Sequence, residues 1–347
     1  MITPTRILAA DPAAIAEAAA LIRAGDLVAF PTETVYGLGA NAFDPAAVAR
    51  IYVAKGRPAS DPVIVHVAAS SQLAEVTPAI PEMAHALIAA FWPGPLTLVL
   101  PRGPRIPPAV SAGLPTVAVR MPAHRVALAL IEAAGVPIAA PSANLFARTS
   151  PTTARHVLDD LGGRIPLILD GGPTPVGLES TVLDLTGPAP RILRPGGVGL
   201  DAIARLAPDV TLAPRYAEPG AGALPAPGML LRHYSPHATV YLVEGPDARL
   251  PAALAALCAE FAAQGRRVGL LIADEDRDAL TGVGVPIVTL GSLADLEQVA
   301  QRLFAGLREL DAQGVDVIVA RAFPQQGIGL AIHDRLLRAA EGRVRRA

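Results

Sequence analysis

The sequence predicts an α/β protein of two domains, a larger sheet domain followed by a smaller Rossmann-like one. Three observations predict it. Short apolar runs end abruptly in clusters of small and polar residues throughout residues 26–200. Stretches with helical periodicity fill the intervals between them, and the same alternation resumes after a proline- and glycine-rich break. With 347 residues and 52% hydrophobic composition, the chain has enough apolar material for two cores.

The strands of the first domain are expected at Leu27–Phe30, Pro62–Val67, Leu96–Leu100, Thr116–Arg120, Val136–Ala140, Ile165–Leu169, Ser180–Leu185 and Arg191–Arg194. Each is short, β-branched and closed by turn-forming residues. Helices are expected at 11–24, 45–54, 81–90, 123–134 and 151–161, the first announced by Asp11-Pro12 as N-cap and first helical residue. In open α/β sheets ligands collect where strand ends and loops meet, so the polar clusters are expected to converge on one crevice.

Residues 206–238 change character. Pro214, Pro219, Pro225 and Pro227 lie among small residues, and Gly228-Met-Leu-Leu-Arg-His-Tyr-Ser-Pro236 follows. This reads as a linker without regular structure, with Arg232, His233 and Tyr234 as polar handles; a tether that merely packs on the surface is the alternative. The boundaries are therefore 1–205, 206–238 and 239–347. In the last of these, strands are expected at 240–243, 268–272, 286–290 and 315–320, with helices at about 250–264, 293–312 and 330–340. No Gly-x-Gly-x-x-Gly follows its first strand, so dinucleotide binding is not supported there.

Charge narrows the function. Residues 1–200 carry 14 Lys+Arg against 14 Asp+Glu, and residues 201–347 carry 15 against 17. Tight nucleic-acid binding by bulk charge is thereby disfavoured. The one cysteine, Cys258, excludes an intrachain disulfide and reads as a buried thiol. Neither a signal peptide nor a run of about 18 apolar residues is present, so a cytoplasmic protein with no membrane association is expected.

Of the 29 Lys+Arg, one is a lysine, Lys55, in Ile51-Tyr-Val-Ala-Lys-Gly-Arg-Pro58. A compact ammonium retained where every other cation is a guanidinium marks a candidate for chemistry; drift in a coding sequence biased against lysine is the alternative. Lys55 and Arg57 flank a glycine that would let backbone approach a polyanion such as triphosphate.

Several motifs then follow one another: Pro31-Thr-Glu-Thr-Val-Tyr-Gly-Leu-Gly39, Lys55-Gly-Arg57, Phe91-Trp-Pro-Gly-Pro-Leu-Thr97, Val117-Ala-Val-Arg120, Pro141-Ser-Ala-Asn144, Ser150-Pro-Thr-Thr153 and Glu179-Ser-Thr-Val182. In this order they resemble the threonylcarbamoyl-AMP synthase (YrdC-like) family, and the linker and second domain resemble its longer, two-domain branch. The resemblance implies a twisted, open mixed sheet for the first domain. It also implies an enzyme that makes threonylcarbamoyl-AMP and pyrophosphate from ATP, L-threonine and bicarbonate, with Mg2+ arriving with ATP, and that hands its product to a tRNA-modifying threonylcarbamoyl transferase complex.

Such a reaction needs no enzyme nucleophile: the amine attacks carbon, the resulting carbamate attacks the α-phosphate, and the protein positions and neutralises. The resemblance implies Lys55, Arg57, Ser142 and Asn144 as the catalytic group, two cations holding mutually repelling anions with a hydroxyl and an amide as directional donors. A turn with Asx-type bonding is the structural alternative for Ser142 and Asn144. Threonine would meet Thr32, His66, Arg120, Ala140 and Ser180, with the Arg120 fork suited to a carboxylate. His66 alternates out of its strand toward either the pocket or the opposite layer. ATP would meet Lys55, Thr116, Ser142, Ser150, Arg194 and linker Tyr234, the linker acting as a lid that excludes water. For Arg194 a surface ion pair is the alternative. Asp170 and Glu179 invite a metal reading, but a strand-to-turn junction explains Asp170 as well. One departure stands out: the family usually carries a glycine between Asn144 and Ser150, where this chain has Phe146-Ala147-Arg148, so a less free loop is expected. A competing reading from another class is an RNA-binding or ribosome-assembly module, disfavoured by balanced charge and few aromatics. A carbamoyl-transfer domain of the hydrogenase-maturation kind is disfavoured by the single cysteine.

Overall fold

A computed structural model describes residues 4–213, 224 and 233–347. Pro214, Pro219, Pro225, Pro227 and Arg232 of the linker lie outside them. The chain divides into two compact units. One comprises the described residues up to Phe146 and from Ser150 through Leu224; the other comprises Ala147–Thr149 and the described residues from His233 onward.

The first unit is built on eleven strands: β1 (Arg6–Ala9), β2 (Val28–Phe30), β3 (Gly37–Asn41), β4 (Ile64–His66), β5 (Leu96–Pro101), β6 (Thr116–Arg120), β7 (Ile138–Ala139), β8 (Leu167–Asp170), β9 (Thr181–Asp184), β10 (Arg191–Arg194) and β11 (Thr211–Leu212). Their order is β1-β8-β2-β3-β7-β4-β6-β5-β9-β10-β11. Five parallel pairs (β1·β8, β8·β2, β4·β6, β5·β9, β10·β11) are interspersed with five antiparallel ones, so the sheet is mixed. Successive residues of one strand feed opposite faces. Val28 and Phe30 pack with the helices Pro12–Arg23 and Arg125–Ala134, whereas Ala29 packs with Pro45–Lys55 and Ala154–Leu161. Both faces are covered, and for that reason the strands read as continuous apolar runs.

Helix signals act locally as the sequence implies. Asp11 and Asp44 accept from Ala14 N and Ala46 N at the N-termini, each followed by proline. Gly56 ends the second helix at φ +63°, and a Cβ built on it meets nothing within 4 Å. Gly56 is a left-handed helix cap. β3, buried and rich in glycine, lacks the β-branched signature of its neighbours. At Gly39 a Cβ would sit 2.8 Å from Phe30 and Ile138, so packing forbids the side chain that would have marked the strand. β11 corrects the start of the linker, which joins the sheet beside β10 instead of running free.

The second unit holds a five-stranded, wholly parallel sheet of β12 (Thr239–Glu244), β13 (Val268–Ile272), β14 (Ile287–Thr289), β15 (Val317–Arg321) and β16 (Val344–Arg346), in the order β14-β13-β15-β12-β16. Helices Leu250–Ala263, Leu296–Ala312 and Gly329–Ala339 accompany it, and Cys258 is buried in the first of these. No helix among the described residues is long and apolar enough to cross a membrane.

Candidate active site

The site grows from the turn between β2 and β3. Thr32 Oγ1 accepts from Thr34 N (3.2 Å) and Val35 N (3.3 Å) and donates to Val35 O (2.7 Å), fixing Pro31-Thr-Glu-Thr34 as a hydroxyl-stapled turn. The turn presents Glu33 and Thr34 to Arg120 at the end of β6, whose Nη2 meets Glu33 Oε2 at 2.8 Å and whose Nη1 meets Thr34 Oγ1 at 3.0 Å. Arg120 and Glu33 are both buried. Glu33 was not among the residues singled out by sequence; the fork expected to await a carboxylate already holds one of the protein's own.

His66 pairs in register with Arg120 across β4 and β6. Its ring stands edge-on to Phe30 with centroids 6.2 Å apart, on the face packed by helices Pro12–Arg23 and Arg125–Ala134. Burial first, and then the Arg120 charge, push its pKa down to about 3, so the imidazole is neutral at physiological pH. Three buried atoms of this cluster have no hydrogen-bond partner: Glu33 Oε1, Arg120 Nε and His66 Nδ1. Ala140 flanks them, its N–H donating to Ile64 O at 2.8 Å.

The lone lysine joins two motifs. Lys55, the last residue of its helix, donates from Nζ to Ser142 O (2.6 Å) and Asn144 O (2.5 Å) and is 2% exposed. Burial, followed by repulsion from Arg57, lowers its pKa well below the usual ammonium range. The Pro141–Asn144 segment is in turn held against β3: Leu38 N donates to Pro141 O, Ala143 N to Tyr36 O, and Ser142 bridges Gly37. Ser142 is half-buried, while Asn144 is buried and donates to Leu145 O at 2.7 Å. Arg57 points its fork at Asp61 (2.9 Å) and the carbonyls of Asp61 and Pro62. Leu224, from the linker, is buried and donates its N–H to Ser60 O in this same loop.

A third group gathers on β9 and β10. Arg194 is buried, with Nε and Nη2 on Ser180 O (3.2 and 2.9 Å) and Nη2 on Ser180 Oγ (3.2 Å); this contradicts the surface-pair alternative. Ser180 Oγ also meets Thr97 Oγ1 at 2.7 Å. Gly196 allows this contact, because a Cβ there would lie 2.3 Å from the Ser180 and Thr181 backbone. Ser150 Oγ donates to Glu179 Oε1 at 2.5 Å, and Ser150 is fully buried. Thr116 opens the strand that Arg120 closes, about 13 Å away along the sheet.

Tyr234 lies in the second unit. Its ring is fully buried against Phe304 (centroids 5.4 Å apart) and His233, with the Arg335 guanidinium 4.9 Å from its centre. In the same unit Ala147 has φ +63°. The missing glycine between Asn144 and Ser150 is thus replaced in conformation, alanine taking the left-handed backbone that glycine ordinarily supplies. Among the described residues no cluster of three or more His, Cys, Asp or Glu is placed to hold a metal.

Comparison with known proteins gives the same outline. A family model described as "Telomere recombination" matches residues 20–196, and one described as "Threonylcarbamoyl-AMP synthase, C-terminal domain" matches residues 199–341. Threonylcarbamoyl-AMP synthase of Pyrococcus abyssi is 47% identical over 328 residues, 94% of each chain. That of Bacillus subtilis is 48% identical over 335 residues, 95% of this chain and 94% of its own. The crystal structure of P. abyssi Sua5 complexed with L-threonine superposes with a TM-score of 0.91 at 45% identity, covering 100% of both chains.

Proposed function

The chain belongs to the threonylcarbamoyl-AMP synthase family and is an enzyme of that activity, and we propose that it draws on L-threonine, bicarbonate and Mg2+-bound ATP at the residues described above. The observation that carries this assignment is the lone lysine. Lys55 Nζ binds the carbonyls on either side of Ala143, which joins the Lys-Gly-Arg and Ser-Ala-Asn segments and supports reading them as one group for the substrates' anions.

The chemistry asks for positioning more than for a nucleophile. The threonine amine attacks the carbon of bicarbonate, water leaves, and the carbamate oxygen displaces pyrophosphate from the α-phosphorus. Thr32, His66, Arg120, Ala140 and Ser180 hold the amino acid. Ser142, Ser150, Thr116 and Arg194 hold the nucleotide, which lies along the sheet to reach from Thr116 to Lys55. Lys55 and Arg57 neutralise the joined anions, with Ser142 and Asn144 supplying directed donors. Burial loosens the hold of Lys55 on its proton, and an approaching polyphosphate opposes that shift. Magnesium is held by the triphosphate and needs no dedicated protein cage. The product passes to a tRNA-modifying threonylcarbamoyl transferase, and the work takes place in the cytoplasm.

The test is pyrophosphate release from ATP. It is expected to require both threonine and bicarbonate, and Lys55→Arg is expected to lose most of the rate while far-UV circular dichroism stays unchanged. Release equally fast with serine or without bicarbonate overturns the substrate assignment, and a fully active Lys55→Arg overturns the role of the lysine.

A further inference from the structure

We infer that the buried ion pair Glu33–Arg120 is a receptor for an amino-acid zwitterion, in which Glu33 is the specificity-determining partner of the substrate's α-ammonium. The inference rests on the threonine reading above and deepens it.

The pair is not a closed structural salt bridge. Glu33 spends Oε2 on Arg120 Nη2 and leaves Oε1 without a partner; Arg120 spends Nη1 and Nη2 on Thr34 and Glu33 and leaves Nε without one. Both atoms are buried, and both side chains are more than nine-tenths buried. A buried polar atom left unpaired is costly, more so when charged, so a resting protein has reason to avoid two in one pair. These two are complementary to one another in kind. One is a carboxylate acceptor and the other a guanidinium donor, joined by a single contact of 2.8 Å. A ligand that satisfies both at once carries a cation and an anion a few ångströms apart. An α-amino acid does so through its ammonium and carboxylate.

The surroundings fit this charge pattern. The hydroxyl-stapled turn at Thr32 holds Glu33 in place, so its carboxylate is delivered by backbone geometry. The other titratable groups here are His66, neutral beside Arg120, and His124. His124 caps the helix Arg125–Ala134, and its pKa is lowered chiefly by burial, with Glu33 opposing. Neither supplies an anion, which leaves Glu33 as the carboxylate in contact with Arg120 and the natural seat for an ammonium. A carboxylate seated beside the ammonium can also take the proton that must leave: ammonium gives one proton to the carboxylate, and the freed lone pair forms the N–C bond to bicarbonate. The C–OH bond breaks, and the leaving hydroxide takes a second N–H proton to depart as water.

The experiment measures binding to the full chain by calorimetry without ATP, comparing L-threonine with 3-hydroxybutyrate, which lacks the ammonium. The wild-type chain is expected to prefer threonine by about 30-fold or more, as a site built around a charged group rejects the analogue without it. Glu33→Gln keeps the shape and removes the charge; it is expected to lower threonine affinity about 10-fold or more and to erase the preference, with ATP affinity unchanged. Equal binding of both ligands to the wild type overturns the inference whether or not the variant folds, and so does a Glu33→Gln chain that retains the full preference. A wild-type chain that binds neither ligand overturns the threonine reading itself, so the two failures are separable.

Discussion

Two arginines close two buried strands in nearly the same way. Thr116-Val-Ala-Val-Arg120 ends β6 of the first unit, and Val317-Ile-Val-Ala-Arg321 ends β15 of the second. Both side chains are buried at the carboxyl end of a sheet strand, 3% and 1% exposed. Their partners differ. Arg321 uses every guanidinium nitrogen, Nη1 on Asp276 (2.8 Å), Nη2 on Asp247 (2.5 Å) and Nε on Ala322 O (2.9 Å). Arg120 keeps Nε unused, beside a carboxylate with an unused oxygen and a histidine with an unused nitrogen. A buried charge that serves the fold is saturated, because each missing bond costs stability. One that serves a ligand keeps capacity in reserve. Nothing in the two pentapeptides distinguishes the roles, so the burden falls on the residues that the fold brings to meet them.

Substituting the two arginines separates the roles, with the largest effect at the saturated one. Arg321→Met leaves Asp276, itself buried, without its charge partner and is expected to cost about 3–5 kcal/mol, read from urea unfolding followed by a probe in the second unit. Arg120→Lys retains a cation opposite Glu33 but loses the fork. It is expected to leave the unfolding midpoint close to wild type and to lower kcat/KM for threonine about 100-fold, some 2.7 kcal/mol of transition-state stabilisation. If Arg120→Lys is as unstable as Arg321→Met and fully active when folded, the distinction collapses.

Much of the scaffold is legible in the sequence because burial on both faces writes itself as apolar runs: β6, β10 and β13 match the expected runs residue for residue. The strands that escaped were β1 and β11, at the two edges of the first sheet, β3, where packing on Phe30 excludes side chains, and β16, three residues with two arginines at a sheet edge. Within the site, motif order brought out Lys55, Arg120, Ser180 and Arg194, which are all buried and linked to other motif residues. Glu33 stayed hidden although it lies inside the Pro-Thr-Glu-Thr motif. A glutamate on a turn ordinarily faces water, and only the long-range meeting with β6 buries it. A carboxylate and an arginine each embedded among turn hydroxyls and apolar strands was the one available signal. Tyr234 was legible as a polar handle, yet its ring packs inside the second unit, because Phe304 and Arg335 come from helices whose placement a linker sequence does not reveal.

Buried histidines carry the same contrast at smaller scale. His333 of the second unit is seated 3.6 Å from the Glu244 carboxylate, whereas the charged neighbour of His66 is Arg120. Because the folded pKa of His66, about 3, lies below its unfolded value near 6.5, the unfolded chain binds the extra proton between those limits. The stability contributed by keeping this ring neutral is complete above pH 6.5 and falls as pH drops toward 3. At pH 5.5 the loss is expected to reach about 1.4 kcal/mol. Urea midpoints measured for the wild type and His66→Phe at pH 7.5 and 5.5 check this. The variant should lose less stability than the wild type over that interval, and identical losses would show that the ring is not held neutral by the fold.

The smallest effect concerns backbone strain. Ala147, at φ +63°, donates no side-chain interaction that explains its conformation; its carbonyl accepts from Ser235 N at 2.9 Å, and the next residue, Arg148, pairs with Asp311 at 3.4 Å. The left-handed region costs an alanine roughly 1–2 kcal/mol, and glycine escapes that cost while losing about 0.5–1 kcal/mol more chain entropy on folding. Ala147→Gly is therefore expected to raise the stability of the second unit by about 0.5 kcal/mol, with the Ser235 bond preserved because it uses backbone alone. If the loop were saturated like Arg321, relaxing one residue would leave activity untouched, whereas a loop strained for function would trade the gain against a lower kcat. Urea midpoints and steady-state pyrophosphate release on the same preparation distinguish the two, and an Ala147→Gly chain less stable than wild type would remove strain as the account of this residue.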